Sequence, residues 1–158
     1  MQWRMNELSG AVALAQLRKL PDLLKRTKQN WERLRREIID AYPYLQFRKV
    51  EPENDAGIVL AFNLETKDNV EFFKQAFEAE GLLYGPTSYC QTMDRIDVVR
   101  ACLEDAGMYH PEDFKTTEGI VERFAKIAVL PVYDDQDMHD IVAGIVKVLR
   151  YMKNKRMT

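Results

Sequence analysis

Two histidines, two cysteines and two tyrosine-bearing irregular stretches are the residues of this chain with chemistry to offer. His110 and His139 lie far apart, and neither has cysteine or carboxylate neighbours at metal-ligand spacing. Cys90 and Cys102 are separated by eleven residues; Cys102, in an apolar helical context, reads as a small core hydrophobe. A Cys90–His110 nucleophile pair rests on no local signature. The seven glycines are isolated and form no phosphate-binding loop. The acidic run Asp134-Asp135-Gln136-Asp137 directly precedes a helical pattern, where caps and dipole complementation account for it without a metal. What remains is LYGPTSYCQTMD and GMYHPEDF. There Tyr84, Tyr89, Tyr109 and His110 put aromatic, hydrogen-bonding groups into loops, where binding residues concentrate. The same tyrosines could equally pin long loops onto the domain.

The totals narrow the class. A chain of 158 residues with 46% hydrophobic and 30% charged residues has the balance of a single globular domain. Its net charge of −2 argues against a nucleic-acid surface. The one basic cluster (Lys147, Arg150, Lys153, Lys155, Arg156) reads as cations ending the last helix. No apolar run reaches the roughly 20 residues that cross a bilayer, and the Ala-rich opening, preceded by Glu7, does not resemble a secretory leader. Two cysteines give no disulfide framework, so the expected compartment is the cytoplasm.

The elements that must position these residues follow from periodicity. The opening stretch RMNELSGAVALAQLRKL is helical and carries no charge from Leu8 to Leu17; such a helix is normally enclosed on all sides. Pro21 suits a first helical position, which predicts a second helix running to about Tyr42 with Leu24, Trp31, Leu34 and Ile38 as its apolar stripe. Beyond Pro43 the period changes to that of strands: Phe47 to Val50, then Ile58 to Leu64 with Ile58, Leu60, Phe62 and Leu64 on one face. Asp68 and Glu71 suggest a capping box for a helix carrying Val70, Phe73 and Phe77, closed by Gly81. A short strand over Leu82 to Tyr84, a helix near Ile96 to Asp105, a helix from Thr117 or Glu118 to Lys126, and a buried strand IAVLPV come next. The last helix carries Met138, Ile141, Ile145, Leu149 and Met152 on one side. The fold class predicted is α+β, a small, mostly antiparallel sheet packed by helices and preceded by two long helices. Residues 1–42 form a helical segment and 43–158 the α/β unit.

QWRMNELSGAVALAQLRKL resembles the DegT/StrS-type aminotransferases, pyridoxal-phosphate enzymes of fold type I that aminate keto-sugars and cyclitols. Their motif N-[YF]-R-M-[ST]-E, followed by an Ala-rich helix ending A-Q-L, is matched by W-R-M-N-E and A-L-A-Q-L-R-K-L. Weaker likenesses follow in KRTKQNWERLRREI, in GIVLAFNLETKDNVEFFKQAFEAEGL and in ERFAKIAVLPVYDDQDMHDIVAGIVKVL. The resemblance implies the C-terminal, small-domain part of such an enzyme. Gln2, where the family has Asn, would donate to the cofactor phosphate. Arg4 would bind an anion near the cofactor or the amino-donor carboxylate. Glu7 would hold Arg4 or cap the helix, and Asn6 replaces the usual Ser/Thr. Tyr84, Tyr89, Tyr109 and His110 would face substrate. The family's Ser-x-x-x-x-Lys loop, whose lysine forms the Schiff base, has no counterpart in these residues; nor has the aspartate that pairs with the pyridine nitrogen. Alone, the chain would therefore neither hold pyridoxal phosphate nor transaminate. The partner expected for the Leu8–Leu17 helix is a second copy or a missing large domain, and neither a nucleic acid nor a membrane. A free-standing association module that kept the fold and lost the chemistry is the alternative.

Overall fold

The structure is a computed structural model that describes residues 5–51, 55–85 and 91–156. Its first element is one continuous helix, α1 (Glu7–Ala41), 35 residues long. Asn6 caps it, its Oδ1 accepting the Ser9 N–H at 2.7 Å. The break expected at Pro21 is absent: Pro21 lies inside the helix. Proline forfeits one hydrogen bond to the carbonyl four residues earlier, here that of Leu17. The surrounding Leu, Lys, Arg and Gln residues are good helix formers, and they carry the turn through. So one long helix precedes the sheet, not two.

Strands β1 (Gln46–Phe47), β2 (Val59–Asn63) and β3 (Phe124–Ala128) form an antiparallel sheet in the order β1-β2-β3. Leu60 pairs with Ile127 and Phe62 with Ala125, so the inward residues of β2 and β3 share one face. Helices α2 (Lys67–Ala79) and α5 (Asp135–Arg156) cover that face together with the C-terminal half of α1. Leu34, Ile38, Phe62, Phe73, Phe77 and Ile145 are completely enclosed. Phe62 meets Phe73 edge-on at 5.3 Å between centroids, and Phe73 stacks on Phe77 at 5.5 Å. This is the α+β arrangement that the periodicity implied.

Several boundaries moved for identifiable reasons. Thr66, not Asp68, caps α2: its backbone is extended and its hydroxyl accepts the Asn69 N–H at 3.2 Å. Gly81 does follow the helix end, at φ +80°. Ile58 is exposed although Leu60, Phe62 and Leu64 are buried, and its carbonyl still accepts the Val129 N–H at 3.0 Å. The helix expected up to Lys126 is α4 (Glu112–Val121), opened by Pro111 with Glu112 and Asp113 in its first turn. The strand expected over 127–132 begins at Phe124 and ends at Ala128. Lys126 had masked the alternation Ala125, Ile127, Val129, and Pro131 cannot extend a ladder. Asp134 and Asp137 cap α5 reciprocally, each carboxylate accepting the other's N–H, at 2.9 and 3.0 Å.

Gly85 shows how tightly the chain is held against β3 at this point. Its N–H donates to the Lys126 carbonyl at 2.8 Å, and a Cβ there would stand 2.6 Å from that same oxygen. Only backbone surrounds it, so nothing can swing aside. Gly85→Ala is expected to cost about 1–3 kcal/mol in denaturant unfolding, whereas Gly119→Ala, with open space around it, should cost nothing or stabilise slightly.

Candidate functional site

Of the residues picked out for binding, Gln2, Arg4 and Tyr89 lie outside the described residues, as does Cys90. Tyr84, Tyr109 and His110 are described. Tyr84 bridges to Ile127 at the free edge of β3, and its hydroxyl accepts the Lys126 N–H at 3.2 Å. Tyr109 belongs to another cluster. Its hydroxyl donates to Asp94 Oδ2 at 3.5 Å, its ring lies 6.1 Å from Phe114, and the Arg100 guanidinium sits 5.8 Å above it. His110 is exposed, and its carbonyl accepts the Asp113 N–H at 3.0 Å as α4 begins. The contacts of Tyr84 and Tyr109 thus run to different elements.

Asp94, which sequence reasoning passed over, organises the second cluster. It sits in a 3-10 turn (Met93–Arg95) leading into α3 (Asp97–Asp105). Its carbonyl accepts Arg100 Nε at 2.9 Å, so turn, helix and Tyr109 are tied at one residue. Its side chain is buried at 6% exposure, yet Oδ1 has no partner, and neither does the equally buried Thr92 Oγ1. Nothing in T-M-D-R-I distinguishes this aspartate from an ordinary turn residue; its burial comes from chain segments far apart in sequence. Cys102, expected in the core, is exposed on α3, a helix with no buried residue. Val98 and Cys102 face outwards while Val99 and Leu103 are half-buried, because the helix packs on the 3-10 turn and not on the sheet.

Beside the turn lies a cleft of about 380 Å³ lined by Lys67, Gln91, Thr92, Arg95, Glu118 and Glu122, with Val121. Lys67 pairs with Glu122 at 2.7 Å and Arg95 with Glu118. The hydrogen bonds they donate to these carboxylates hold both cations above their ordinary pKa values. Such a cleft can take a small polar ligand, but its charges are already matched and it contains no nucleophile–base pair. A larger cleft of about 600 Å³ lies between the end of α2 and the start of α5, lined by Glu80, Leu82, Tyr133, Asp137, Asp140 and Lys147 among others. Lys147 closes onto Glu80 at 2.6 Å.

Among the described residues no three His, Cys, Asp or Glu side chains are grouped to hold a metal, and no helix is long and apolar enough to cross a membrane. No described lysine is buried either. A lysine that condenses with a carbonyl cofactor needs a desolvated setting that lowers its pKa, the reverse of what Lys67 has.

The chain matches the DegT/DnrJ/EryC1/StrS aminotransferase family over residues 1–146, and it belongs to that family. The match takes in the opening helix, the sheet and most of α5. No curated protein sequence matches the chain.

Two measurements test this geometry. Thr92→Val removes a buried hydroxyl that has no partner, so unfolding should show a gain of about 1 kcal/mol; a loss would mean that the hydroxyl is satisfied in solution. Burial, with a smaller push from Asp137, raises the Tyr133 pKa. The neutral phenol is then favoured in the folded state. That contribution is complete below the ordinary tyrosine value of about 10 and is lost as pH climbs through the folded-state value. Tyr133→Phe should accordingly flatten the alkaline fall in stability, read as melting temperature against pH.

Proposed function

We propose that these residues are the C-terminal, small-domain portion of a pyridoxal-phosphate-dependent enzyme that aminates a keto-sugar or a cyclitol. The observation that carries this reading is the family match over residues 1–146. W-R-M-N-E at residues 3–7 and the Ala-rich helix behind it support it further. In the whole enzyme Gln2 would offer an amide to the cofactor phosphate, and Arg4 a fixed fork of donors to a carboxylate. Tyr84, Tyr89, Tyr109 and His110 would line the substrate mouth, on a small domain spanning 43–158 that the 1–42 segment joins to the cofactor domain. The group would be held elsewhere, since these residues contain no Ser-x-x-x-x-Lys loop. It would supply the electron sink for amino transfer; this chain's part would be to bind and enclose.

One observation favours a second reading, an association module that has kept the fold without the chemistry: the apolar N-terminal half of α1 is bare in the single chain. The readings separate on mixing. Added pyridoxal phosphate should give no lysine-dependent absorbance with this chain alone. Transamination of a keto-sugar should appear when a polypeptide carrying the family's lysine-bearing domain is supplied. A lysine of this chain trapped by borohydride reduction would overturn the proposal, as would persistent inactivity of a mixture in which the two polypeptides demonstrably bind. The association module predicts that last result.

A further inference from the structure

The chain leaves the sheet at Gly85 and rejoins it at Phe124, and the two ends meet. The Gly85 N–H donates to the Lys126 carbonyl at 2.8 Å, and Tyr84 pairs with Ile127. On the other side of the return, the Leu64 N–H donates to the Arg123 carbonyl at 2.8 Å. What lies between is an excursion closed at its base, so it can move without pulling a strand out of the sheet. Its described part comprises the 3-10 turn, α3 and α4. Neither helix contains a buried residue, and neither contributes a side chain to the main core.

Inside the excursion the pieces are bound to one another. Asp94 holds Arg100 through its carbonyl and Tyr109 through its carboxylate. The Arg100 guanidinium lies over the Tyr109 ring, and that ring meets Phe114 of α4. Arg95 of the turn pairs with Glu118 of α4. One helical turn further on, the cap residue Glu122 reaches out of the excursion to Lys67, the first residue of α2, at 2.7 Å. Both cations are more than half exposed, so each pair is weak and open to screening by salt. These four residues line the cleft of about 380 Å³, and so does the buried Thr92. Thr92 Oγ1 and Asp94 Oδ1 have no partners in the closed form. Water that reached them on opening would supply the missing hydrogen bonds, which lowers the cost of opening.

We propose that the turn, α3 and α4 form a strap that opens as one unit while the sheet and α1, α2 and α5 stay folded, with Lys67–Glu122 and Arg95–Glu118 as its latch. The closed base confines the opening to this segment. The lack of core side chains makes it less costly than global unfolding, and the contacts of Asp94 and Arg95 make it cooperative. The inference stands on these contacts and does not use the aminotransferase reading, so the cofactor tests leave it untouched.

Native-state hydrogen exchange of the 158-residue chain tests it. The strap amides of Arg100, Ala106 and Glu122 bond to the carbonyls of Ile96, Cys102 and Glu118. They should exchange roughly 100-fold or more faster than those of the paired strand residues Leu60 and Ile127. Ile145→Val, in the enclosed core, should speed the strand amides by about 3–10-fold and leave the strap amides unchanged, because the strap opens with the core intact. Lys67→Met touches only the end of α4, yet the α3 and α4 amides should quicken by a common factor of about 2–5. Raising salt from about 0.1 to 1 M should act in the same direction, and should lose that effect in the double variant Glu118→Gln/Glu122→Gln. A core substitution that speeds every amide alike would overturn the proposal, since the strap would then open only with the whole chain. So would α4 amides that respond to Lys67→Met without those of α3, or a strap indifferent to salt.

Discussion

One helix is both the wall of the core and a rod reaching out of it, and the attachment of that rod at Trp31 is the constraint on which the rest depends. The Trp31 indole N–H reaches the Val59 carbonyl at 3.1 Å, and a Cβ on Gly57 would stand 3.0 Å from Trp31 Cβ. Gly57 takes φ +70°, which lets the chain turn beside the indole and enter β2. Leu34 and Ile38, one and two turns on, then lie in the same enclosed cluster as Leu60 and Phe62. Burying side chains of this size is worth about 1.5–3 kcal/mol each. Without the Trp31 contact the sheet would lose one of the three helices that cover it.

That anchorage divides α1 by function as well as by burial. Downstream of Thr27 its apolar positions meet β2 and α5; upstream they meet only solvent in the single chain. The hydrophobic effect does not distinguish the two halves, because the same stripe runs through both. What differs is the supply of partners within this polypeptide. Leu17, Leu20 and Leu24 are therefore exposed on the same stripe that is buried at Thr27, Trp31, Leu34 and Ile38.

The α3–α4 region follows a different logic. It contributes no side chain to the main core and is held by polar and aromatic contacts around Asp94, Arg100, Tyr109 and Phe114. A buried carboxylate oxygen and a buried hydroxyl without partners are costly. Both lie in one turn, beside a cleft that carries two ion pairs across its walls.

Local pattern was enough for the elements whose partners are periodic neighbours. The alternation Leu60, Phe62, Leu64, the stripe from Met138 to Met152 and the Trp31–Leu34–Ile38 spacing each report a buried face, and burial repeats with the geometry of the element. The motif around Arg4 was likewise legible, because it is a contiguous string. Three things were decided only in three dimensions. Lys126 sits in a strand because β2 offers it a ladder; Cys102 is exposed because α3 packs on the 3-10 turn with its other side; and the Asp94 carboxylate is held by Tyr109, fifteen residues away. Sequence records the preferences of each residue. Whether a preference is met depends on which distant surface arrives, and that is a property of the fold.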